Sequence, residues 1–165
     1  MSRSISSSQF VDAVTPVVRQ CAAASLAFYG NVANVGKSAD RSLTGDHAQH
    51  ASSVLTVLDA AFQDLILGVV HDRFPGIRCI AEERTARRRD FAGNTSDDVV
   101  ILDPIDGTLH FQRGDAPYHI SVGLARRGRM IAAVVARPSE DKLFTAQRGA
   151  GAYLQRGNRR PRRLR

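Results

Sequence analysis

Apolar residues recur at helical spacing in two segments near the start of the chain. Residues 9–29 show this pattern around Pro16, so the helix either kinks there or begins anew with Thr15 as its cap. The second segment is stronger, because its apolar side chains form one continuous stripe that stops at Pro75-Gly76. That stripe comprises Leu58, Ala61, Phe62, Leu65, Ile66, Val69 and Val70. Residues 30–53 lack the pattern and are predicted to form a loop.

Short apolar runs in the rest of the chain are predicted as strands. The run at residues 99–102 is continuously apolar, which is typical of a strand buried on both faces. Two early helices followed by a meander of strands predict an α+β fold, with helices layered on a mainly antiparallel sheet. The other runs are residues 77–81, 118–125, 130–136 and 143–146.

The positive charge of the chain is concentrated at its carboxyl end. The net charge is +7, and residues 156–165 contribute six arginines and no acid, so the rest carries only +1. We expect one domain over residues 1–155, followed by a basic Arg-rich tail over residues 156–165. Basic tails can bind polyanions, but a solvated chain end is the simpler interpretation, and nucleic acid is not an expected partner.

Several other classes of protein are not expected. No apolar run approaches the ~20 residues of a membrane helix. The amino terminus lacks the apolar core of a signal peptide, which makes the cytoplasm the expected compartment. Cys21 and Cys79 have no CxxC spacing, so neither a disulfide framework nor a zinc site is indicated.

The sequence from Asp103 to Thr108, DPIDGT, is the strongest candidate for chemistry. It follows the predicted strand at residues 99–102, where ligands commonly bind at strand ends. Gly107 allows the backbone to approach a ligand, and a helix beginning near Thr108 would offer free N–H groups to a phosphate. Asp103 and Asp106 beside such a cradle suit a magnesium-bridged phosphate, because Mg²⁺ prefers oxygen ligands.

Two further acidic positions are weaker signals. Glu82-Glu83 follows a short predicted strand and reads by itself as a solvated strand end. Asp59 lies in the first turns of the strong helix, three residues after Thr56, where an acid also suits the helix dipole.

The order of these motifs resembles that of the inositol monophosphatase family of magnesium-dependent phosphatases. Residues 118–125 and 145–153 are similar to strands of the same family, so the resemblance covers nearly the whole chain. It implies the first domain of the fructose-1,6-bisphosphatase/inositol monophosphatase fold. The motifs are Thr56-Val57-Leu58-Asp59, Ala81-Glu82-Glu83 and Asp103-Pro104-Ile105-Asp106-Gly107-Thr108-Leu109-His110-Phe111.

This resemblance implies a site for two Mg²⁺ ions. One ion would be bound by Glu82, Asp103 and the main-chain carbonyl of Ile105. Asp103 and Asp106 would bind the second ion. The reaction would be hydrolysis of a phosphomonoester similar to inositol 1-monophosphate.

The resemblance also implies roles for the remaining site residues. Gly107 and Thr108 would donate N–H groups to the substrate phosphate. A hydrogen bond between Thr108 and Asp59 would help to orient the attacking water, and Glu82 or Glu83 would assist as a base.

Three features depart from the family pattern. His110 stands where the family has asparagine, as a tolerated replacement or as a change in pocket polarity. The loop at residues 36–53 is longer than expected. Its histidines, His47 and His50, are expected to be exposed, and the alternative is a metal contact, because the family's corresponding loop can close over the site. Nothing after Tyr153 resembles the family's carboxy-terminal domain, which supplies another metal-binding aspartate.

Two functional hypotheses follow. The favoured one is a phosphomonoesterase, or the amino-terminal half of one, that acts on a small phosphorylated substrate and forms a homodimer. The alternative is a non-catalytic remnant that acts as a dimerising or polyanion-binding module.

Overall fold

The computed structural model describes residues 4–30 and 55–165. The predicted loop at residues 30–53, with His47 and His50, lies outside this range except for Gly30. The α-helices in the described part are α1 (Ser7–Leu26), α2 (Leu55–Arg73) and α3 (Thr108–Arg113). The strands are β1 (Arg78–Ala81), β2 (Asp98–Asp106), β3 (His119–Arg126), β4 (Arg129–Arg137), β5 (Lys142–Gln147), β6 (Gly151–Arg156) and β7 (Arg162–Arg163). Short 3-10 helices lie at Arg87–Phe91 and Pro138–Glu140.

The strands form one sheet in the order in which they occur along the chain. Strands β1 and β2 are parallel, and every later neighbouring pair is antiparallel. Helices α1 and α2 pack against each other, α1 against β4 and α2 against β2. The predicted α+β fold, with helices layered on a mainly antiparallel sheet, is therefore confirmed.

The main core lies between these two helices and one face of the sheet. Side chains alternate along a strand, so every second residue of β2, β3 and β4 points towards the helices. These positions are filled by aliphatic side chains that are almost fully buried, among them Val100, Leu102, Val122, Leu124 and Val134.

The opposite face of the sheet is only partly covered by the described residues. Ile101 is 37% exposed, and its neighbour across the β1–β2 ladder, Ile80, is 58% exposed. The prediction that residues 99–102 are buried on both faces is therefore wrong at Ile101, because helices of the described part cover one face of the sheet.

Helix α1 continues through Pro16 without a second start at Thr15. Pro16 and Asp12, four residues earlier, are both exposed. Water can therefore satisfy the Asp12 carbonyl that loses its helical partner, which limits the cost of the proline.

The carboxyl end of the chain is exposed but ordered into strand β7, which pairs with β6. Residues of the Arg-rich segment thus extend the sheet instead of forming an unstructured end. No helix in the described part of the chain has the length and apolar character needed to cross a membrane.

Candidate active site

A β-bulge in strand β2 brings Asp103 and Asp106 to the same face of the sheet. Asp103 lies opposite Ser121 and Asp106 lies opposite His119, so three steps along β2 match two steps along β3. Residues three apart on a regular strand point to opposite faces, and the extra residue of the bulge corrects this parity. The bulge falls at Pro104, where proline is tolerated because the ladder is already interrupted.

Glu82 reaches the same region through the parallel pairing of β1 with β2. Ala81 lies opposite Leu102 in this pairing. Glu82, the first residue after β1, therefore follows Ala81 at the level of Asp103, which is the next residue of β2. The structure thus places Glu82 and Asp106 each close enough to Asp103 for their charges to act on it.

The electrostatic state of Asp103 reflects this crowding of acids. Burial raises the pKa of Asp103 to about 7, helped by the charge of Glu82, a hydrogen bond with Glu82 and the charge of Asp106. The Oδ1 atom of Asp103 is buried and accepts no hydrogen bond. A buried carboxylate oxygen without a hydrogen-bond donor, beside two further carboxylates, is suited to a cation.

Gln63 holds the Glu82-Glu83 segment against helix α2. Its side chain is fully buried, accepts a hydrogen bond from the Glu83 N–H (2.9 Å) and donates to the Glu83 carbonyl (2.9 Å). It also donates to the Thr85 hydroxyl (3.0 Å). Sequence reasoning missed this positioning residue, although an amide next to Phe62 in the apolar stripe was a signal.

Asp59 lies on α2, four residues before Gln63, and is also buried. This spacing puts both side chains on the same side of the helix, the side that faces the Glu82-Glu83 segment. The side chain of Thr56 lies outside the described part of the structure.

Helix α3 begins at Thr108, as expected, and is preceded by Gly107 in the left-handed conformation (φ 92°). A side chain at residue 107 would strain this backbone, which accounts for the glycine. The Thr108 hydroxyl donates to the Ile105 carbonyl (3.0 Å). The hydrogen bond between Thr108 and Asp59 stays a prediction.

Two histidines flank the acidic cluster in different ways. The Nδ1 atom of His110 lies 2.9 Å from Asp115 Oδ1, so its ring pairs with an acid that was assigned no role. The Nδ1 atom of His119 lies 3.9 Å from Asp106 Oδ2. His119 was not singled out from the sequence, because its place opposite Asp106 depends on the strand register.

The donor chemistry of the cluster fits Mg²⁺. Among the described residues, no group of three or more acidic, histidine or cysteine side chains forms a cage that could hold a metal ion. Mg²⁺ does not require such a cage, because it usually binds through one or two carboxylates and retains several waters. Asp103 with Glu82 or Asp106, and the Ile105 carbonyl beside them, supply enough oxygen ligands for such an ion.

Comparisons with known proteins were made for both sequence and fold. Residues 14–164 match the model of the inositol monophosphatase family. The inositol-1-monophosphatase of Mesorhizobium japonicum is 34% identical over 96 residues, which cover 58% of this chain and 35% of that protein. Human inositol monophosphatase 2 is 35% identical over 103 residues, which cover 62% of this chain and 35% of that protein.

Solved structures show the same fold. Mycobacterium tuberculosis SuhB superposes with a TM-score of 0.70 at 21% identity, covering 98% of this chain and 53% of that one. The Thermotoga maritima IMPase gives a TM-score of 0.65 at 24% identity, covering 88% of this chain and 52% of that one. This chain spans about half the length of these structures. Because the family model matches residues 14–164, the chain belongs to the inositol monophosphatase family.

Proposed function

We propose that this chain carries the metal-binding part of a Mg²⁺-dependent phosphomonoesterase that acts on a small phosphorylated substrate similar to inositol 1-monophosphate. The observation that supports this most is the bulge in β2, which puts Asp103 and Asp106 on one face beside Glu82. The names of the related inositol monophosphatases support the substrate class.

In this proposal, Glu82, Asp103 and the Ile105 carbonyl would hold one Mg²⁺, and Asp103 and Asp106 would hold a second. When bound, such a metal pair lowers the pKa of water and stabilises the attacking and leaving oxygens. Burial and the neighbouring acids raise the pKa of Asp103 and so favour its protonated form. Because Asp103 must lose this proton to bind a metal ion, Mg²⁺ would compete with protons for the site.

The other residues orient the reactants. The Gly107 and Thr108 N–H groups, at the start of α3, bind the substrate phosphate. The Thr108 hydroxyl, with Asp59, positions the attacking water, and Glu82 or Glu83 accepts its proton. For Thr108 to bond with Asp59, its hydroxyl must rotate away from the Ile105 carbonyl that it contacts in the structure.

We also propose that the chain forms a homodimer. Large apolar side chains are exposed on the sheet face away from α1 and α2, including Ile80, Ile101 and Met130. Burial of such a patch against a second copy would be favourable. This same observation supports the alternative, a dimerising module without catalysis, so activity decides between the two.

The deciding experiment measures phosphate released from myo-inositol 1-phosphate, with Mg²⁺ or with EDTA. The chain is assayed alone and as a fusion to the carboxy-terminal half of an inositol monophosphatase relative. We expect little turnover from the chain alone and Mg²⁺-dependent turnover from the fusion, because a 1 Å misplacement of reacting groups can cost about a hundredfold in rate. Absence of turnover in a folded fusion would favour the non-catalytic module.

A further inference from the structure

The Arg-rich end of the chain forms an ordered edge of the sheet, far from the acidic cluster. Strand β7 pairs with β6 on one side and is last in the sheet order, so no described strand covers its other side. The Leu164 N–H donates to the Ala152 carbonyl (2.8 Å). Since N–H groups alternate in direction along a strand, the Arg163 N–H points outward.

The arginines of this edge are available to an anionic partner. Those at positions 159, 160, 162, 163 and 165 are exposed, and none forms an ion pair within the part of the chain that the structure describes. Arg156 differs, because it interacts electrostatically with Glu140. The Asp141 carboxylate lies against the backbone of Gly157. Five positive charges therefore face solvent along a short stretch of chain.

Part of this basic edge is fixed by packing. A Cβ atom added at Gly151 would lie 2.9 Å from Arg163 Nε, so the Arg163 side chain folds over this glycine. Gly151 also has a φ of +99°, which favours glycine. Arg148 lies in the turn before Gly151, so it adds a sixth charge at the end of β6 where that strand begins.

We propose that this basic edge, Arg148 with the arginines at positions 159–165, binds the phosphate backbone of a nucleic acid duplex without sequence preference. Arginines two residues apart on an extended chain are separated by about 6.7 Å, and a duplex carries one charge per ~1.7 Å of its axis. Several guanidinium groups can therefore reach phosphates together, and their planar donors suit phosphate oxygens.

The composition of the edge favours a duplex over other polyanions. Residues 156–165 contain no aromatic side chain, and Tyr153, opposite Arg163 on β6, is a single aromatic neighbour, so the edge lacks the row of platforms on which successive single-stranded bases could stack. Leu164, the one large aliphatic residue of this segment, is half-buried, whereas surfaces that insert into membranes expose apolar side chains beside the basic ones.

The edge is also separate from the proposed phosphatase site. Strand β7 lies five strand spacings from β2, which is about 24 Å. This exceeds two Debye lengths at physiological salt, so the carboxylates of Asp103 and Asp106 do not neutralise the edge. Duplex binding therefore does not depend on the phosphatase proposal.

The test is fluorescence anisotropy of a labelled 20-base-pair DNA duplex, titrated with the full chain between 50 and 200 mM salt. Six arginines that each contact one phosphate predict a slope of about −5.4 for log affinity against log salt. The edge variant Arg160→Gln/Arg162→Gln/Arg165→Gln keeps three of these arginines, so it should reduce the slope to about −2.7 and weaken binding at 50 mM salt at least tenfold.

A matched control removes the same charge elsewhere. The variant Arg84→Gln/Arg87→Gln/Arg89→Gln also lowers the net charge by three, in a cluster where Arg87 pairs with Asp90 (3.1 Å). It should keep nearly the wild-type slope and affinity, and circular dichroism confirms that each variant is folded. The proposal is overturned if both variants lose equal affinity, if the wild type does not bind, or if it prefers anionic lipid vesicles to the duplex.

Discussion

Replacing Asp103 by asparagine is expected to stabilise the metal-free protein above pH 7. In the folded chain the pKa of Asp103 is raised from 3.8 to about 7, first by burial and then by Glu82 and Asp106. At about 1.36 kcal/mol per pKa unit, keeping this group ionised costs at most about 4 kcal/mol of folding free energy. Solvent reaches part of the carboxyl group, so we halve this figure and expect a gain of about 2 kcal/mol.

The pH dependence of this gain has a definite sign. The folded pKa exceeds the unfolded one, so between about pH 4 and pH 7 the folded state retains a proton that the unfolded state loses. The wild type therefore loses stability relative to Asp103→Asn as the pH rises through this window. The gain should be about 2 kcal/mol at pH 8 and about 0.5 kcal/mol at pH 4.5.

Urea denaturation in EDTA, followed by circular dichroism at both pH values, measures this gain. Asp97→Asn is the control, because Asp97 is an exposed carboxylate that pairs with exposed Arg127. The reasoning is refuted if Asp103→Asn is no more stable than the wild type at pH 8, or if its gain is the same at both pH values. Added MgCl₂ should stabilise the wild type but not this variant.

Three further substitutions test other parts of the account. Asp106→Asn should reduce Mg²⁺-dependent phosphate release by an active fusion at least a hundredfold, on the order expected for a misplaced reacting group, while its circular dichroism stays unchanged. Thr108→Ala should lower kcat more than it raises KM in steady-state assays, because its backbone N–H is retained; unchanged kcat would contradict its role. Asp98→Asn should destabilise the chain by about 2 kcal/mol in urea at pH 7, since Asp98 is 3% exposed and holds both Arg126 and the Ile5 N–H. A loss below about 0.5 kcal/mol would mean that this ion pair is not important for folding.

Local patterns in the sequence were enough to predict most elements of the fold. The apolar stripe of α2 and the start of α3 at Thr108 both follow from short-range rules of periodicity and helix capping. The DPIDGT motif and Glu82 were also identified as site candidates before their positions were known.

Non-local contacts could not be predicted in this way. Asp103 and Asp106 share a face because the register between β2 and β3 shifts between them. In a regular strand these two residues, three apart, would point to opposite faces. The exposure of Ile101 depends on what covers the second face of the sheet. The burial of Gln63 depends on the Glu82-Glu83 segment folding back onto α2.

The order of the carboxyl end also depends on a distant pairing. Composition alone favoured a solvated end, and the arginines are indeed exposed. The pairing of Arg162 with Leu154 nevertheless makes this segment a strand, because β6 presents a free edge to it. The charge pattern of this segment therefore predicted that its side chains are exposed, but it did not predict that its backbone forms a strand.

The central claim is that Glu82, Asp103 and Asp106 form a Mg²⁺ site, and calorimetric titration of the full chain with MgCl₂ at pH 6 and pH 8 tests it most directly. The account predicts measurable binding by the wild type that is several-fold tighter at pH 8, because Mg²⁺ displaces the proton from Asp103. It also predicts that Glu82→Gln weakens this binding and that Asp103→Asn removes it. Binding that is absent in the wild type, or that is independent of pH and unaffected by either substitution, would contradict the claim.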